Sequence, residues 1–419
     1  QRFLKIGLIV IDKVFLIGMS NLFKIILGFC LLKFSTFFLT TEEFGRLGHF
    51  MSFISLLFIF SGGGMSNGII ALVGQSKDDK ILLKKLELNF ILLTLIFTVF
   101  ISLCLFIFSD SISKALFRDQ EYSFFIKFCS LSVFFFGLIN FTTSFLNGLL
   151  KTKEYVVIQV LGSIIAIFIG YFFIKNYGFQ GAILAYIFQF LALLIPAAIY
   201  FNKFFKLRIS YKSIDLEIFK KAFKFSMIAI VGIFSVPLTE FFIRELIIQN
   251  LSYESAAHWQ SLNRISVALT SFFIAFFTFY LLPNLSLKFK ENIDLYKKII
   301  LKVFPFFILI VFFVILFGDY FVKILLTEDY LVITNYFILQ FTGDLFKLLS
   351  YLVLFYAIAC GALKIILIFE FLQFALLYGF TKTNLLLDLE LLSVYESYSI
   401  AYILYFFLAI FWAYRELIK

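Results

Sequence analysis

Pairs of charged residues occur at helical spacing inside long apolar stretches of this sequence. Glu240 and Arg244 are four residues apart, and Asp344 and Lys347 are three apart, so each pair shares one face of a helix. Burying a charge in an apolar segment is costly, so such groups usually face a protein interior or a water-filled cavity. Arginine keeps its charge, and Arg244 therefore needs an anion, water or Glu240 as its partner. Each pair is either part of a ligand site or an internal ion pair.

Three further basic residues interrupt apolar stretches. Lys24 shares a helical face with Asn21 and Gly28, which predicts that it faces a cavity. Lys33 lies nine residues further on, on roughly the opposite side, where a long side chain can extend to polar surroundings. The position of Arg264 leaves open whether it lies in a cavity or at an interface.

Several fixed cations in one cavity favour an anionic ligand. Lysine and arginine suit phosphate and diphosphate groups, and aromatic rings can lie against the faces of sugars. The residues that we predict to bind substrate are Lys24, Arg244, Lys347, Arg264 and Trp259.

Carboxylates in the same stretches are candidates for ion coupling. Desolvation favours the neutral form of a carboxylate, so such a group can take up a proton. We predict this role for Glu240, Asp344 and Glu370, the last of which is paired at helical spacing with Gln373. For Asp344, the alternative is a self-neutralised pair with Lys347.

The composition shows which elements must position these residues. The chain has 419 residues, of which 62% are hydrophobic and only 15% charged, and its mean hydropathy is +1.02. Soluble domains carry about 25% charged residues, so the sequence predicts an all-α polytopic membrane protein. Windows of roughly 20 residues give about twelve membrane helices. The predicted spans are 14–39, 46–73, 82–109, 122–149, 154–175, 179–201, 221–247, 255–286, 299–323, 332–358, 362–381 and 395–415.

Basic residues outside the spans predict the topology. Most of them fall on the side that carries both termini, which the positive-inside rule places in the cytoplasm. The longest hydrophilic interval, 202–220, is basic and separates two sets of six helices. We therefore predict an N-terminal lobe at 1–201, a cytoplasmic linker at 202–220 and a C-terminal lobe at 221–419, with a cavity between the lobes. Gly62–Gly64, Pro237 and Pro283 are the positions where helices are expected to bend.

Several classes of protein are disfavoured. The sequence has no phosphate-binding loop for ATP, no HExxH motif and no GxSxG elbow. No extramembrane stretch is long enough for a catalytic domain. We therefore predict that the protein is not an enzyme. Four scattered cysteines and two histidines predict neither a metal site nor another cofactor. The net charge of +10 fits basic cytoplasmic loops better than a nucleic-acid partner. The composition leaves open a lipid flippase, a drug or ion antiporter and an organic-anion carrier. A membrane-embedded glycan enzyme is disfavoured by the short outer loops.

Short motifs along nearly the whole chain resemble one known family. They include GGGMSNGIIALV at 62–73, VPLTEFFIREL at 236–246, HWQSLNRIS at 258–266, YLLPNLS at 280–286 and GDLFKLLSY at 343–351. The order of the last three is the most specific feature. In these motifs the chain resembles the Wzx-type flippases of the multidrug/oligosaccharidyl-lipid/polysaccharide exporter superfamily, which include the O-antigen and common-antigen translocases.

The resemblance implies a function, a location and partners. It implies two six-helix lobes that give alternating access and move an undecaprenyl-diphosphate-linked oligosaccharide from the cytoplasmic to the periplasmic leaflet of the bacterial inner membrane. Its other implied partners are membrane lipids, a coupling H⁺ or Na⁺, and the polymerase and chain-length machinery. A cation-coupled small-molecule antiporter of the same superfamily is the alternative.

The resemblance also bears on individual residues. Lys24, Arg244, Asp344 and Lys347 fall where the family has charged positions. Glu240 departs from the common-antigen pattern, and the identity of the sugar unit stays open.

Overall fold

The chain is helical throughout the part that the structure describes. The computed structural model describes residues 2–205, 215–286 and 289–418. The α-helices are α1 (Arg2–Phe38), α2 (Thr41–Ser61), α3 (Ser66–Gln75), α4 (Lys80–Ile107), α5 (Ser109–Phe117), α6 (Ser123–Gly148), α7 (Thr152–Leu191), α8 (Leu194–Phe204), α9 (Leu216–Asn250), α10 (Tyr253–Phe276), α11 (Leu282–Asn284), α12 (Ile293–Lys302), α13 (Phe304–Leu316), α14 (Gly318–Leu325), α15 (Phe337–Ala359), α16 (Leu363–Leu387) and α17 (Leu391–Ile418). A π-helical segment, Phe277–Leu281, joins α10 to α11, and the 3₁₀ segment Glu328–Tyr336 precedes α15.

Many of these helices are long and apolar enough to cross a membrane. Within the described ranges, nine helical stretches meet that criterion. One of them, Thr152–Phe204, contains two of the predicted spans, and Gly178 separates these by its positive φ of 53°. The predicted span at 221–247 lies within α9, whereas that at 255–286 extends from α10 through the π-helical segment and α11. A bilayer contains no water to hydrogen-bond the backbone, so an apolar chain of this kind folds as helices.

Several predicted spans are interrupted in the structure, among them those at 46–73 and 299–323. The span at 46–73 is divided into α2 and α3 by a turn in which Gly63 and Gly64 have φ values of 63° and 67°, a conformation that suits glycine. This is one of the predicted bends. The span predicted as one helix at 299–323 is wrong in detail, because it comprises parts of α12, α13 and α14. Pro305, in the first turn of α13, lacks the backbone N–H that would continue α12.

The helices form two compact units. The N-terminal unit contains Gln1–Leu39 and His49–Ile233, and the C-terminal unit contains Thr40–Gly48 and Phe234–Lys419. The lobe boundaries predicted at 1–201, 202–220 and 221–419 remain a prediction, and residues 206–214 of the linker lie outside the described residues. On either side of that gap, α8 ends at Phe204 and α9 begins at Leu216.

Each unit has its own packing. In the N-terminal unit, α1 lies along α7, and α6 contacts α3, α4, α7 and α8. In the C-terminal unit, α15 and α17 form the main pair, with α10 packed on α15 and α16 on α17. The apolar core of the C-terminal unit includes Phe277, Phe307 and Leu348, which are almost completely buried. Candidate functional side chains therefore project from α1, α6 and α7 in one unit and from α9, α10, α15 and α17 in the other.

Candidate functional site

A cavity of about 370 Å³ lies within the N-terminal unit. Nine of its sixteen lining residues are polar and uncharged, although the surrounding helices are strongly apolar. The lining residues are Lys24, Leu27, Gly28, Phe58, Ser66, Ile70, Asn140, Thr143, Ser144, Asn147, Tyr155, Gln159, Ser163, Gln189, Phe190 and Leu193. Its volume falls within the range of about 300–1,000 Å³ that is typical of small-ligand sites.

Helical periodicity explains why the lining is polar. Residues spaced three, four and seven apart lie on one face of a helix, and successive turns of α6 and α7 each present such a face. The polar face of α6 consists of Asn140, Thr143, Ser144 and Asn147, and that of α7 consists of Tyr155, Gln159 and Ser163. Since α6 packs on α7, the two faces line the same cavity.

Lys24 lines this cavity, in agreement with the prediction that it faces one. Its Nζ atom donates a hydrogen bond to Tyr155 Oη at 3.2 Å and lies 5.6 Å from the centroid of the Tyr155 ring. Gly28, one turn further along α1, also contributes to the lining. Because the Lys24 side chain is exposed, its charge is accessible to an anion that enters the cavity.

Arg244 has a different environment in the C-terminal unit. Its side chain is only 1% exposed, and its guanidinium carbon lies 5.6 Å from the centroid of the Trp259 ring, which is itself 4% exposed. The charges of Glu240 and Arg264 both act on the guanidinium, with opposite signs. Glu240 also accepts a hydrogen bond from Asn263 Nδ2 at 3.0 Å. Four predicted site residues, Glu240, Arg244, Trp259 and Arg264, are thus brought together by α9 and α10.

The first two turns of α2 close over Arg244. A Cβ atom built on Gly48 would lie 2.7 Å from Arg244 Nε, and closer still to Gln260 Oε1. A Cβ atom on Gly45 would overlap the carbonyl oxygen of Tyr253. These two glycines allow α2 to approach α9 and α10 at a distance that any larger residue would prevent. Arg244 is therefore enclosed on this side by backbone.

Asp344 is the centre of a second polar cluster in the same unit. It is completely buried, and its Oδ1 atom accepts hydrogen bonds from Ser266 Oγ and Tyr398 Oη, both at 2.8 Å. Gln340 Nε2 donates to Ser266 Oγ at 3.0 Å. The charge of Lys347 acts on Asp344 from one turn away, as its spacing predicts.

Lys347 and Glu370 lie among buried tyrosines. Lys347 is 7% exposed, and its Nζ atom lies 5.5 Å from the centroid of the Tyr402 ring. Glu370 acts electrostatically on the hydroxyls of Tyr351 and Tyr405. Both Asp344 and Glu240 act on the hydroxyl of Tyr402, so one electrostatic network spans the two clusters.

The charged residues of the C-terminal unit were identifiable from sequence, whereas most of the cavity in the N-terminal unit was not. A search restricted to charged residues finds Lys24 alone among the cavity residues. The spacing of Asn140, Thr143, Ser144 and Asn147 within an apolar span carries the missed signal. In the described ranges, no three His, Cys, Asp or Glu side chains lie close enough to hold a metal ion.

Comparisons with known proteins agree with this architecture. The chain is 26% identical over 392 residues to the Lipid III flippase of Escherichia coli (strain K12), a match that covers 92% of this chain and 94% of the relative. The Lipid III flippase of Shigella flexneri gives the same identity and coverage. A solved inward-facing structure of a multidrug resistance MATE family transporter of the MOP superfamily superimposes with a TM-score of 0.75 at 17% identity, and the match covers 98% of both chains.

These likenesses answer two predictions. The all-α polytopic membrane fold is confirmed, because the chain has the fold of a MATE-type transporter. The resemblance to the Wzx-type flippases is confirmed by the curated relatives. The profile of one family, described as polysaccharide biosynthesis protein, matches residues 10–289, which is well over half of the chain. The chain therefore belongs to the polysaccharide biosynthesis protein family.

Proposed function

We propose that this protein is a flippase for a lipid-linked oligosaccharide. It moves an undecaprenyl-diphosphate-linked O-antigen or common-antigen repeat unit from the cytoplasmic to the periplasmic leaflet by alternating access. The observation that carries this function is the 26% identity to the Lipid III flippase of Escherichia coli across 92% of the chain. The transporter fold supports it, because alternating access requires two groups of helices that move as bodies.

Lys24, Arg244 and Lys347 are the proposed contacts for the diphosphate. Lys24 is accessible within the cavity, so it meets the substrate first. Arg244 and Lys347 are buried against Trp259 and Tyr402 and become available only when those aromatic rings move away. A charge-assisted hydrogen bond in a site of low polarity is stronger than one in water, which favours this late engagement. Arg264 contributes positive charge beside Arg244.

Glu240, Asp344 and Glu370 are the proposed ion-coupling residues, with H⁺ or Na⁺ as the coupling ion. Asp344 is the strongest of the three, because it is completely buried and its Oδ2 atom accepts no hydrogen bond from the described residues. An atom in that state gains a partner when a proton or cation binds. Neutralising Asp344 would in turn alter its interaction with Lys347.

The remaining assignments follow from the flippase function. The protein carries out transport without catalysis, lies in the bacterial inner membrane and has both termini in the cytoplasm. It hands its product to the polymerase and chain-length machinery. The second candidate function is a cation-coupled small-molecule antiporter, which the likeness to a multidrug transporter favours. Lys24, Lys33, Arg244, Arg264 and Lys347 count against it, because a carrier of organic cations needs a net acidic cavity.

Complementation tests the proposed function. The chain is expressed in a host that lacks its own translocase and carries the matching glycan genes, and surface polymer is detected on lipopolysaccharide gels. Wild type should restore polymer, and Arg244→Ala at equal expression should not. Failure of a well-expressed wild type across the glycan clusters tested would contradict the flippase assignment, and drug efflux would then be measured.

A paired variant separates the two roles that are open to Arg244. Removing the arginine alone leaves Glu240 without its neighbouring positive charge, so a loss of function could come from instability. The double variant Arg244→Met, Glu240→Gln removes both charges. If it folds and restores polymer, Arg244 has only a structural role. If it folds and gives no polymer while Glu240→Gln alone restores polymer, the arginine is needed for transport.

A further inference from the structure

The cavity in the N-terminal unit has more hydrogen-bonding capacity than a diphosphate needs. We propose that it is a sugar subsite in which Asn147, Gln159 and Gln189 bind the hydroxyls of the first sugar of the lipid-linked glycan, beside the diphosphate held by Lys24. This inference rests on the proposed flippase function and adds the residues that recognise the glycan.

The threonine and amide side chains of the cavity divide into two sets. Asn140 Nδ2 donates to Ser61 Oγ at 3.1 Å and to the carbonyl oxygen of Phe58, and Thr143 Oγ1 donates to the carbonyl oxygen of Ile139 at 2.7 Å. Those two side chains are committed to holding the helices together. They would have little capacity left for a ligand.

The second set consists of amides that make no hydrogen bonds between helices. The structure gives the side chains of Asn147, Gln159 and Gln189 no hydrogen bond with any part of the chain that it describes, and all three line the cavity. Gln159 is 8% exposed, and Asn147 and Gln189 are half-buried. A carboxamide that makes no hydrogen bond to the described residues has its full capacity for a ligand that enters the cavity. Three such carboxamides around one cavity indicate a ligand with several hydroxyl groups.

Charge and shape narrow the class of ligand. A carboxamide both donates and accepts, which matches a hydroxyl group, and the lining contains Lys24 but no carboxylate. A neutral polyhydroxyl compound next to an anion fits this lining, whereas an organic cation does not. Phe58 and Phe190 stack with their centroids 4.3 Å apart and both line the cavity, so they offer an apolar surface to the C–H face of a sugar ring. The volume of about 370 Å³ admits part of an oligosaccharide and not the whole unit.

Binding measurements on the purified full-length protein test the proposal. Two probes are compared: undecaprenyl diphosphate, and the undecaprenyl-diphosphate-linked glycan extracted from cells that carry the matching glycan genes. Wild type should bind the glycolipid more tightly than the sugar-free lipid. Gln159→Leu and Gln189→Leu should each weaken glycolipid binding by about threefold to tenfold and leave the binding of undecaprenyl diphosphate unchanged. Lys24→Gln should weaken the binding of both probes.

Two controls exclude a merely structural effect. The Gln159 side chain makes no hydrogen bond to the described residues, and leucine is similar to it in size, so Gln159→Leu should unfold close to the wild-type temperature. Thr143→Val changes the same cavity at a hydroxyl that is already committed, and it should leave the affinities for the two probes in the wild-type ratio.

The outcomes separate this inference from the function on which it rests. Unchanged glycolipid affinity in a folded Gln159→Leu, Gln189→Leu double variant would overturn the sugar subsite and leave the flippase intact. Equal wild-type affinity for the two probes would do the same. A folded wild type that binds neither probe would overturn the subsite and the proposed function together.

Discussion

Gly48 controls how closely α2 approaches Arg244, which makes Gly48→Ala a sensitive perturbation of the candidate site. The new methyl group would overlap Gln260 Oε1 and would lie 2.7 Å from Arg244 Nε and 2.9 Å from Arg244 Cδ. Carbon atoms are most stable at about 3.5–4.0 Å, so the arginine side chain would have to move by roughly 0.8 Å. Arg244 and Gln260 are each only 1% exposed, so the displaced side chains would have to rearrange within the protein interior.

Two opposing terms set the size of the effect. Overpacking a filled interior costs about 1–3 kcal/mol. Alanine is a better helix former than glycine by about 0.8–1.0 kcal/mol, and Gly48 lies within α2. The packing term is the larger one, so we expect Gly48→Ala to lower the free energy of unfolding by about 1 kcal/mol.

Gly379→Ala is the matched control. Gly379 also lies within a helix, α16, but a Cβ atom built there meets no other atom within 4 Å. The control should therefore gain about 0.8–1.0 kcal/mol from helix propensity alone. The difference between the two variants isolates the packing term at about 1–3 kcal/mol. Denaturant titration of the purified protein in detergent, followed by circular dichroism, measures it.

Transport gives a second readout of the same displacement. Because the methyl group pushes on the guanidinium side chain, Gly48→Ala should reduce the amount of surface polymer at equal expression, and Gly379→Ala should not. If Gly48→Ala were as stabilising as Gly379→Ala and supported wild-type polymer, the close packing of α2 on Arg244 would be refuted.

Two other variants test how burial changes the contribution of a charged residue's interactions to the free energy of unfolding. Tyr398→Phe removes the hydroxyl that donates a hydrogen bond to the buried Asp344 carboxyl. The free energy of unfolding should fall by about 1.5–3 kcal/mol. A fall of less than about 0.5 kcal/mol would show that the bond does not form. Lys323→Ala breaks a 2.9 Å ion pair with Glu328 in which the two side chains are 47% and 77% exposed. Solvent screens such a pair, so the denaturation midpoint should stay at the wild-type value. A clear fall in the midpoint would contradict that screening.

The sequence was sufficient for the helical membrane fold because its signals are local. Long apolar runs predict membrane helices. The glycines at 62–64 predict the break between α2 and α3, because glycine readily adopts the positive φ found there. The pairings Glu240 with Arg244 and Asp344 with Lys347 are local as well, since both follow from helical spacing. The division of 299–323 into three helices was missed because a search for apolar windows takes no account of Pro305.

Contacts between distant segments were beyond the sequence. Ser266 and Tyr398 meet at Asp344 although they are far apart in the chain, and nothing in their local sequence marks either as its partner. The same holds for Gly48 and Arg244, whose contact depends on how α2 packs. The carboxamides of the cavity were missed for a different reason. A search for charged residues within apolar stretches does not find Asn147, Gln159 or Gln189, because their side chains are neutral.

The accessibility of each charge bears on which residues meet the substrate. Arg244 and Asp344 are buried and already have partners inside the C-terminal unit. Lys24 is held by one tyrosine hydroxyl and remains open to the cavity. A substrate anion gains more from a cation that is accessible than from one whose partners must first be displaced. Initial recognition is therefore expected at Lys24 and the neighbouring amides, whereas Arg244 and Asp344 respond at a later step, when their partners rearrange.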